Sequence, residues 1–281
     1  MTEFTAPRYY NKTRRSTSLP RALLRRGRVL ALPLYAALRT SDLAREGIDH
    51  SGSYRFADHI YRGEPSGRGR FGHWLDARLL ALPAVRSFRS RFEAARDELT
   101  SFLIDRAGTP GPLDVLSAPC GIPRELVDGY AAFRATGQRA EATVTFHGLD
   151  LDAVALDQAA MFARAGGLDP FVVHHGDIFD RAIHPDSADF VTCTGIAEFL
   201  DDQQLAELMA IFFERLRPGG VFLISGMRRR PLSDYLLRLA ELTVQYRTAA
   251  DLSRLARRLP FSHVDTRVDR FGIQAIMVAR R

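Results

Sequence analysis

The chain has 281 residues, 46% of them hydrophobic, which is enough to bury one substantial core with an extension. Its two cysteines cannot build a disulfide framework, and no apolar run reaches the roughly 18 residues of a membrane-spanning helix. The net charge of +6 is uneven, because residues 1–100 carry +9 and the remaining residues carry −3. We therefore expect a cytoplasmic protein, and the sparse cysteine and histidine predict no metal site.

The first hundred residues begin with a basic, partly apolar segment. The run from Val29 to Leu38 is too short to span a bilayer, and arginines precede it. It predicts either a helix, broken near Pro33, that packs on the rest of the chain, or contact of residues 1–45 with an anionic membrane surface. Packing is favoured because short apolar runs are more often core. Nucleic acid is not an expected partner, because no RNA-binding module is recognisable.

Residues 48–72 are predicted to be loop, because repeated glycines and a proline interrupt them. Tyr54, His59 and Tyr61 lie in this segment. Polar aromatic side chains on such a loop can close over a substrate, or they can belong to a plain surface connection. These three residues are therefore candidate substrate contacts.

Helical and then alternating patterns follow. Apolar residues from Val85 to Leu103 recur at three- and four-residue spacing and predict a helix. Beyond it, short apolar strands alternate with helical patterns, which predicts a parallel sheet covered on both faces. The domain boundary is placed so that residues 1–84 form a basic extension and possible lid, and residues 85–281 form the α/β domain. The predicted strands are 113–117, 144–149, 171–174, 190–194, 221–225, 264–269 and 274–279.

The elements predicted at the C-terminal end show which type of α/β sheet is expected. Helices are predicted over 232–246 and 249–259, the second with a capping box of Thr248 and Asp251. The last two strands then form a hairpin. The expected fold is α/β: a doubly wound, mostly parallel seven-stranded sheet with a C-terminal antiparallel hairpin, plus a mainly helical N-terminal extension.

One segment, VLSAPCGIPR from Val115 to Arg124, is typical of a buried strand that enters a tight turn and a helix. The next strand ends on Asp150. Strand, turn, helix, strand and acid make a nucleoside-binding unit, because a helix N-terminus offers free N–H groups and the acid accepts ribose hydroxyls. This order resembles the class I S-adenosylmethionine (SAM) methyltransferases. In that register Ser117 stands where the family has an acid, and Gly121 alone remains of three glycines.

Three further segments carry the same resemblance. HHGDIFD contains Asp177, which matches the family residue that accepts a hydrogen bond from the adenine amine. ADFVTCTGIAEFLDD resembles the fourth strand with the loop beneath the methyl group, and LRPGGVFLISG resembles the turn and strand that follow. The leader SGSYRFADHIYRGEPSG resembles one found in a bacterial branch of the family. The resemblance implies SAM as cofactor, bound by Ser117, Ala118, Pro119, Gly121, Asp150, Leu151, Asp177, Ile178, Thr194 and Gly195.

The implied activity is methyl transfer from SAM to a small-molecule or lipid-like acceptor. Glu198 and His175 are the candidate bases, although methyl transfer can proceed without one. The loop from Thr194 to Ala197 lacks the Asn/Asp-Pro-Pro-aromatic box that binds a planar amino group. Cys120 is expected to pack rather than to act as a nucleophile. The acceptor atom and the oligomeric state stay open.

Two other functions stay open at this stage. An NAD(P)-dependent oxidoreductase would share strand–helix alternation, although Gly-x-Gly-x-x-Gly is missing and the terminal hairpin is unusual for it. A SAM-fold protein that has lost catalysis and serves as a binding or scaffold partner is the second alternative. The proline-substituted first motif, with Pro119 and Pro123 at glycine places, keeps that alternative open.

Overall fold

The structure is a computed structural model, which describes residues 19–25, 27, 29–49, 54–138, 143–231 and 244–281. Three predicted features extend beyond the described residues: the start of the basic segment (1–18), part of the glycine-rich segment (50–53) and most of a predicted helix (232–243). In the ranges that are described, no helix combines the length and apolar character needed to cross a membrane.

Seven strands form one mixed sheet, as predicted. They are β1 (Leu113–Ser117), β2 (Val144–Asp150), β3 (Phe171–His175), β4 (Ala188–Cys193), β5 (Leu216–Met227), β6 (His263–Val268) and β7 (Gln274–Arg280). Their order is β3-β2-β1-β4-β5-β7-β6. Strand β7 runs in the opposite direction to the other six strands of this sheet. A dinucleotide-binding Rossmann sheet has the order 3-2-1-4-5-6, so β7 between β5 and β6 argues against the oxidoreductase alternative.

Helices cover both faces of this sheet and form a cap at the N-terminal end of the chain. The helices are α1 (Leu19–Arg25), α2 (Leu32–Leu38), α3 (Asp42–Asp49), α4 (Tyr54–Arg62), α5 (Gly69–Leu80), α6 (Pro83–Arg106), α7 (Arg124–Ala135), α8 (Ala153–Ala165), α9 (Asp202–Arg215) and α10 (Ala249–Ala256). Helices α6, α7 and α8 bury Leu99, Leu126 and Leu156 in one core, while α9 and α10 bury Phe212 and Leu252 in the other. The sheet is therefore doubly wound.

The prediction of loop over residues 48–72 is wrong, because α3 ends at Asp49, α4 fills 54–62 and α5 begins at Gly69. The glycines separate short helices rather than excluding them. These helices pack through a small apolar cluster of Leu43, Ile60 and Leu80. We call residues 32–80 the cap. Contacts between helices, which spacing in the sequence does not show, stabilise it.

Other boundaries also differ from the sequence prediction. Strand β5 begins directly after α9, so the predicted turn at Pro218 is an irregular part of the strand, opposite a register shift in β4. Residues 244–248 are not helical, so the predicted helix does not reach Tyr246. Pro33 lies in the first turn of α2, where its missing N–H is harmless, after a 3-10 turn at Val29–Ala31. The predicted capping box of Thr248 and Asp251 is confirmed.

Candidate active site

The turn after β1 and the end of β2 meet as the sequence predicts. Gly121 has φ +50°, a conformation that favours glycine, and its N–H donates to Asp150 Oδ2 at 2.9 Å. The N–H of Asp152 donates to Asp150 Oδ1 at 3.0 Å, while the Asp152 side chain caps α8. Burial raises the pKa of Asp150. Each carboxylate oxygen keeps a further lone pair, so Asp150 can still accept hydroxyl donors.

At the end of β1 the structure shows an acid that the sequence interpretation missed. Ser117 is buried, and its Oγ donates to Glu125 Oε1 at 2.6 Å. Glu125 is the second residue of α7, whose N-cap is Pro123. Burial raises the pKa of Glu125 to about 7. An acid early in a helix usually indicates only a favourable helix dipole, so nothing in the sequence pointed to this contact.

The remaining predicted cofactor residues lie along the same edge of the sheet. Ala118 and Ile178 are buried, whereas Pro119, Leu151, Asp177, Thr194 and Gly195 are partly exposed. Asp177 Oδ1 accepts the N–H of Phe179 at 3.0 Å, which fixes the turn after β3. The N–H of Ala118 donates to the carbonyl of Thr192, so the turn after β1 is also tied to β4.

Helix α4 lies over this turn. Tyr54, Asp58 and Tyr61 are spaced to share one face of the helix. A Cβ at Gly121 would be 3.4 Å from Cβ of Tyr54, and Asp58 forms an ion pair with Arg124 at the start of α7. Tyr54, one of the three candidate substrate contacts, therefore lies beside the turn after β1.

His59, the third candidate, is buried and bonded within the cap. Its Nε2 lies 3.0 Å from Asp76 Oδ2 inside the cap. Asp76 also accepts hydrogen bonds from the Ser41 hydroxyl and from the N–H groups of Leu43 and Ser66. His59 therefore helps to hold the cap together, and it also lines one cavity with Tyr54 and Arg124. Its contact with a substrate stays a prediction.

A buried ion pair lies beside the loop after β4. Arg91 of α6 donates to Glu198 Oε1 at 3.1 Å and to the Tyr61 hydroxyl at 3.0 Å. Its guanidinium carbon lies 3.6 Å from the centroid of the Phe88 ring. A Cβ at Gly195 would be 2.9 Å from an Arg91 nitrogen, so only glycine allows this approach. Burial raises the pKa of Tyr61, which keeps its phenol protonated.

Buried polar atoms without a hydrogen-bond partner concentrate near this pair. Thr192 is the neighbour of Ser117 in β4, and Ser225 lies two strands away on the same face. Native proteins satisfy nearly all buried polar groups, and exceptions often mark a place for water or ligand. Among the described residues, the unpartnered atoms at this end of the sheet are Ser87 Oγ, Thr192 Oγ1, Glu198 Oε2, Ser225 Oγ and both amide atoms of Gln274.

The other candidate base, His175, lies on the wrong strand for this loop. It ends the edge strand β3, which three strand spacings separate from β4, or about 14 Å. Its Nε2 is 3.2 Å from the carbonyl oxygen of Leu151. Cys120 is buried, and burial raises the pKa of its thiol, which suits packing rather than nucleophilic attack. The described residues include no cluster of three or more His, Cys, Asp or Glu side chains suited to a metal ion.

The sheet order and the pairing of Gly121 with Asp150 define a nucleoside-binding protein of the class I methyltransferase type. A family described as "Putative methyltransferase" matches residues 39–281, and the chain belongs to that family. No sequence match was found among curated proteins. Membership of the methyltransferase family identifies the protein as a SAM-dependent methyltransferase, with SAM as its cofactor.

Solved structures support the fold. A "possible exported protein" from Bordetella parapertussis superposes with a TM-score of 0.71 at 22% identity, over 89% of this chain and 86% of that one. Magnesium protoporphyrin IX methyltransferase from Synechocystis, with S-adenosylhomocysteine (SAH) bound, superposes with a TM-score of 0.54 at 15% identity. The match covers 83% of this chain and 97% of that one. The SAM-dependent methyltransferase SibL superposes with a TM-score of 0.54 at 16% identity, over 91% of this chain and 76% of that one.

Proposed function

We propose that this enzyme transfers the methyl group of SAM to a small molecule that presents a hydroxyl group to Glu198. One observation carries the proposal. Glu198 is only 3% exposed, and its Oε2 has no hydrogen-bond partner among the described residues. A buried carboxylate oxygen without a donor is costly, so its retention favours a donor that arrives with a ligand.

The neighbouring residues suit that role. Arg91 binds the other oxygen of Glu198 and so fixes the carboxylate beside Gly195. The Tyr61 hydroxyl accepts from Arg91 and retains its own proton to donate. An acceptor hydroxyl would thus find one hydrogen-bond acceptor and one donor, which fixes its orientation for in-line attack.

Bound SAM supplies a methyl group on a sulfonium ion, already activated for transfer. As the acceptor oxygen bonded to the methyl carbon, the carbon–sulfur bond would break and leave SAH, and the acceptor's proton would pass to Glu198 Oε2. Arg91 holds the carboxylate in place before and after the proton arrives. Helix α4 covers the turn at Gly121, which limits the access of water.

The unpartnered polar atoms favour a small polar acceptor over a lipid-like one. A hydrocarbon chain against Ser225 and Gln274 would leave their polar atoms without partners, whereas hydroxyl or carboxyl groups would satisfy them. Magnesium protoporphyrin IX methyltransferase, which shares the fold, is named for a small molecule. That name is consistent with the proposal without defining the acceptor here.

The test measures SAH formation with a panel of phenols, hydroxy acids and carboxylic acids, and with phospholipid vesicles. Glu198→Gln should lower kcat by about 10²- to 10⁴-fold, the usual contribution of a general base. SAH affinity, measured by calorimetry, should stay unchanged and shows that the variant is folded. Glu207→Gln, at an exposed acid on α9, is the matched control. Full activity in Glu198→Gln, or turnover of vesicle lipid alone, would contradict the proposal.

We also propose that residues 1–45 bring the enzyme to the cytoplasmic face of an anionic membrane. Leu30 is 95% exposed and Leu34 is 62% exposed, which is unusual for apolar side chains that merely pack on a domain. Arg21 and Arg25 are also exposed nearby. Both described cysteines are free and buried, which suits a reducing compartment.

A further inference from the structure

The carboxyl end of β1 holds an acid supplied from eight residues further along the chain. Ser117 ends the strand, and its hydroxyl donates to Glu125 across the turn that contains Gly121. The carboxylate of Glu125 therefore lies within one hydrogen bond of the strand end. Asp150 is bonded to the same turn through the N–H of Gly121.

Glu125 is poorly compensated for a buried acid. It is 6% exposed, its one described side-chain partner is Ser117, and Arg91 influences it without a hydrogen bond between them. Burial consequently raises its pKa to about 7. Thr192, beside Ser117 in the sheet, has a buried hydroxyl that finds no partner in the described part of the chain. A cationic ligand group placed here would offset the cost of the buried charge.

SAM carries a cationic ammonium group on its amino-acid part, which would lie at this end of the cleft. Its ribose suits Asp150 at the end of β2, and its amino-acid part extends from the ribose and carries an ammonium group. Because β1 lies between β2 and β4, a ligand that runs from Asp150 towards the loop after β4 must pass the end of β1. The ammonium group would then come to the strand end where Ser117 and Glu125 meet.

We propose that Glu125 binds the ammonium group of SAM and replaces the acid that is absent at position 117. The proposal rests on SAM being bound at this cleft. Ser117 is then a positioning residue, which holds the Glu125 carboxylate at the end of β1. Arg91 and Glu198 remain with the acceptor side of the site.

Two probes separate this role from a structural one. SAH carries the ammonium group, whereas 5′-methylthioadenosine has the same nucleoside without the amino-acid part. Glu125→Gln should weaken SAH about 10- to 100-fold, as expected for loss of a hydrogen bond to a charged group. It should leave 5′-methylthioadenosine within about twofold of the wild-type affinity, since the nucleoside contacts are intact. Asp157→Asn, at an exposed acid on α8, is the matched control.

A second variant tests the replacement itself. Ser117→Asp combined with Glu125→Gln restores one carboxylate at the strand end, and SAH affinity should recover most of the loss. Equal weakening of both probes in Glu125→Gln, wild-type SAH affinity in that variant, or a double variant that stays as weak would overturn the proposal. Failure of the unaltered protein to bind SAM, SAH and 5′-methylthioadenosine would instead remove the cofactor assignment on which it rests.

Discussion

Two buried acids, Asp76 in the cap and Glu125 at the end of β1, differ in how many donors reach them. Asp76 is fully buried, and burial alone would raise its pKa, but four hydrogen bonds lower the pKa below its usual value. Glu125 is bonded by one side chain, and its pKa is raised. The acid with four donors stabilises the fold, whereas the acid with fewer donors keeps capacity for a ligand.

The same difference separates the two regions as a whole. In the cap, Asp76 connects α3, α4 and α5 through donors that the chain itself supplies. At the carboxyl ends of the strands, Glu198 and Thr192 keep buried oxygen atoms without described partners. Local under-satisfaction lowers stability and is retained where it serves binding.

The largest expected effect is on the satisfied acid. Asp76→Ala removes one partner of a buried pair and leaves several donors without an acceptor, so the free energy of unfolding should fall by roughly 3–5 kcal/mol. Urea denaturation monitored by circular dichroism measures the change. Glu64→Gln, at an exposed acid of the cap, is the control and should change stability by less than about 0.5 kcal/mol. A loss as small as the control's would refute the structural role of Asp76.

The contribution of Glu125 to the free energy of unfolding should depend on pH, because its pKa is raised whereas that of Asp76 is lowered. Its folded-state pKa of about 7 exceeds its ordinary value of 4.5, because burial and the neighbouring Asp128 outweigh the effects of Ser117 and Arg91. Its contribution to stability is therefore complete below pH 4.5 and is lost as the pH rises through 7. The total loss is roughly 3 kcal/mol in the ligand-free protein.

In the Glu125→Gln variant the side chain cannot ionise, so the free energy of unfolding should not show this fall as the pH rises. Urea denaturation of the wild type and the variant at pH 5 and pH 8 isolates it, since other titrations are common to both proteins. The variant should gain stability relative to the wild type at pH 8. Parallel curves for the two proteins would show that the Glu125 carboxylate is not under strain.

Asp150 tests the nucleoside end of the same cleft. Asp150→Ala should weaken SAH by about 1.5–3 kcal/mol, because a charged acceptor for ribose hydroxyls is lost. Asp152→Ala is a close control, since Asp152 caps α8 and should affect stability rather than affinity. Calorimetric titration of both variants distinguishes them. Equal SAH affinity in the two would place the ribose elsewhere.

The smallest expected effect concerns the membrane surface. Each arginine near an anionic bilayer contributes about 1 kcal/mol, and salt screens the attraction. Replacing Arg21 and Arg25 by glutamine should reduce co-sedimentation with anionic vesicles at low salt. The exposed pair Arg257 and Arg258, replaced in the same way, is the control. Co-sedimentation equal in both variants, or absent in the wild type, would leave residues 1–45 with a structural role.

The sequence predicted the sheet well because strands and helices of the α/β domain have strong local periodicity. All seven strands were predicted, six of them within two residues at each end, and the meeting of Gly121 with Asp150 followed from their parallel order. The mainly helical N-terminal extension is confirmed, but the short helices within 48–72 were not predicted. They depend on Asp76, which is distant in sequence from Ser41 and His59. The glycines between them gave the stronger local signal.

The candidate site shows the same limit. The absence of an acid at Ser117 was visible in the sequence, but its replacement by Glu125 depends on how α7 folds back over the strand end. The pairing of Arg91 with Glu198 joins residues that are 107 positions apart. Such contacts arise from the tertiary fold, so periodicity and motif spacing contain no signal for them.

The central claim is that buried acids with few hydrogen-bond donors mark the ligand site, whereas those with many belong to the scaffold. Thermal unfolding at pH 8, with and without saturating SAH, tests it on Asp76→Asn and Glu125→Gln together. Asp76→Asn should lower Tm while keeping the rise in Tm that SAH causes in the wild type. Glu125→Gln should keep or raise Tm and lose most of that rise. The reverse pattern, with SAH stabilising Glu125→Gln fully and Asp76→Asn as stable as the wild type, would contradict the account.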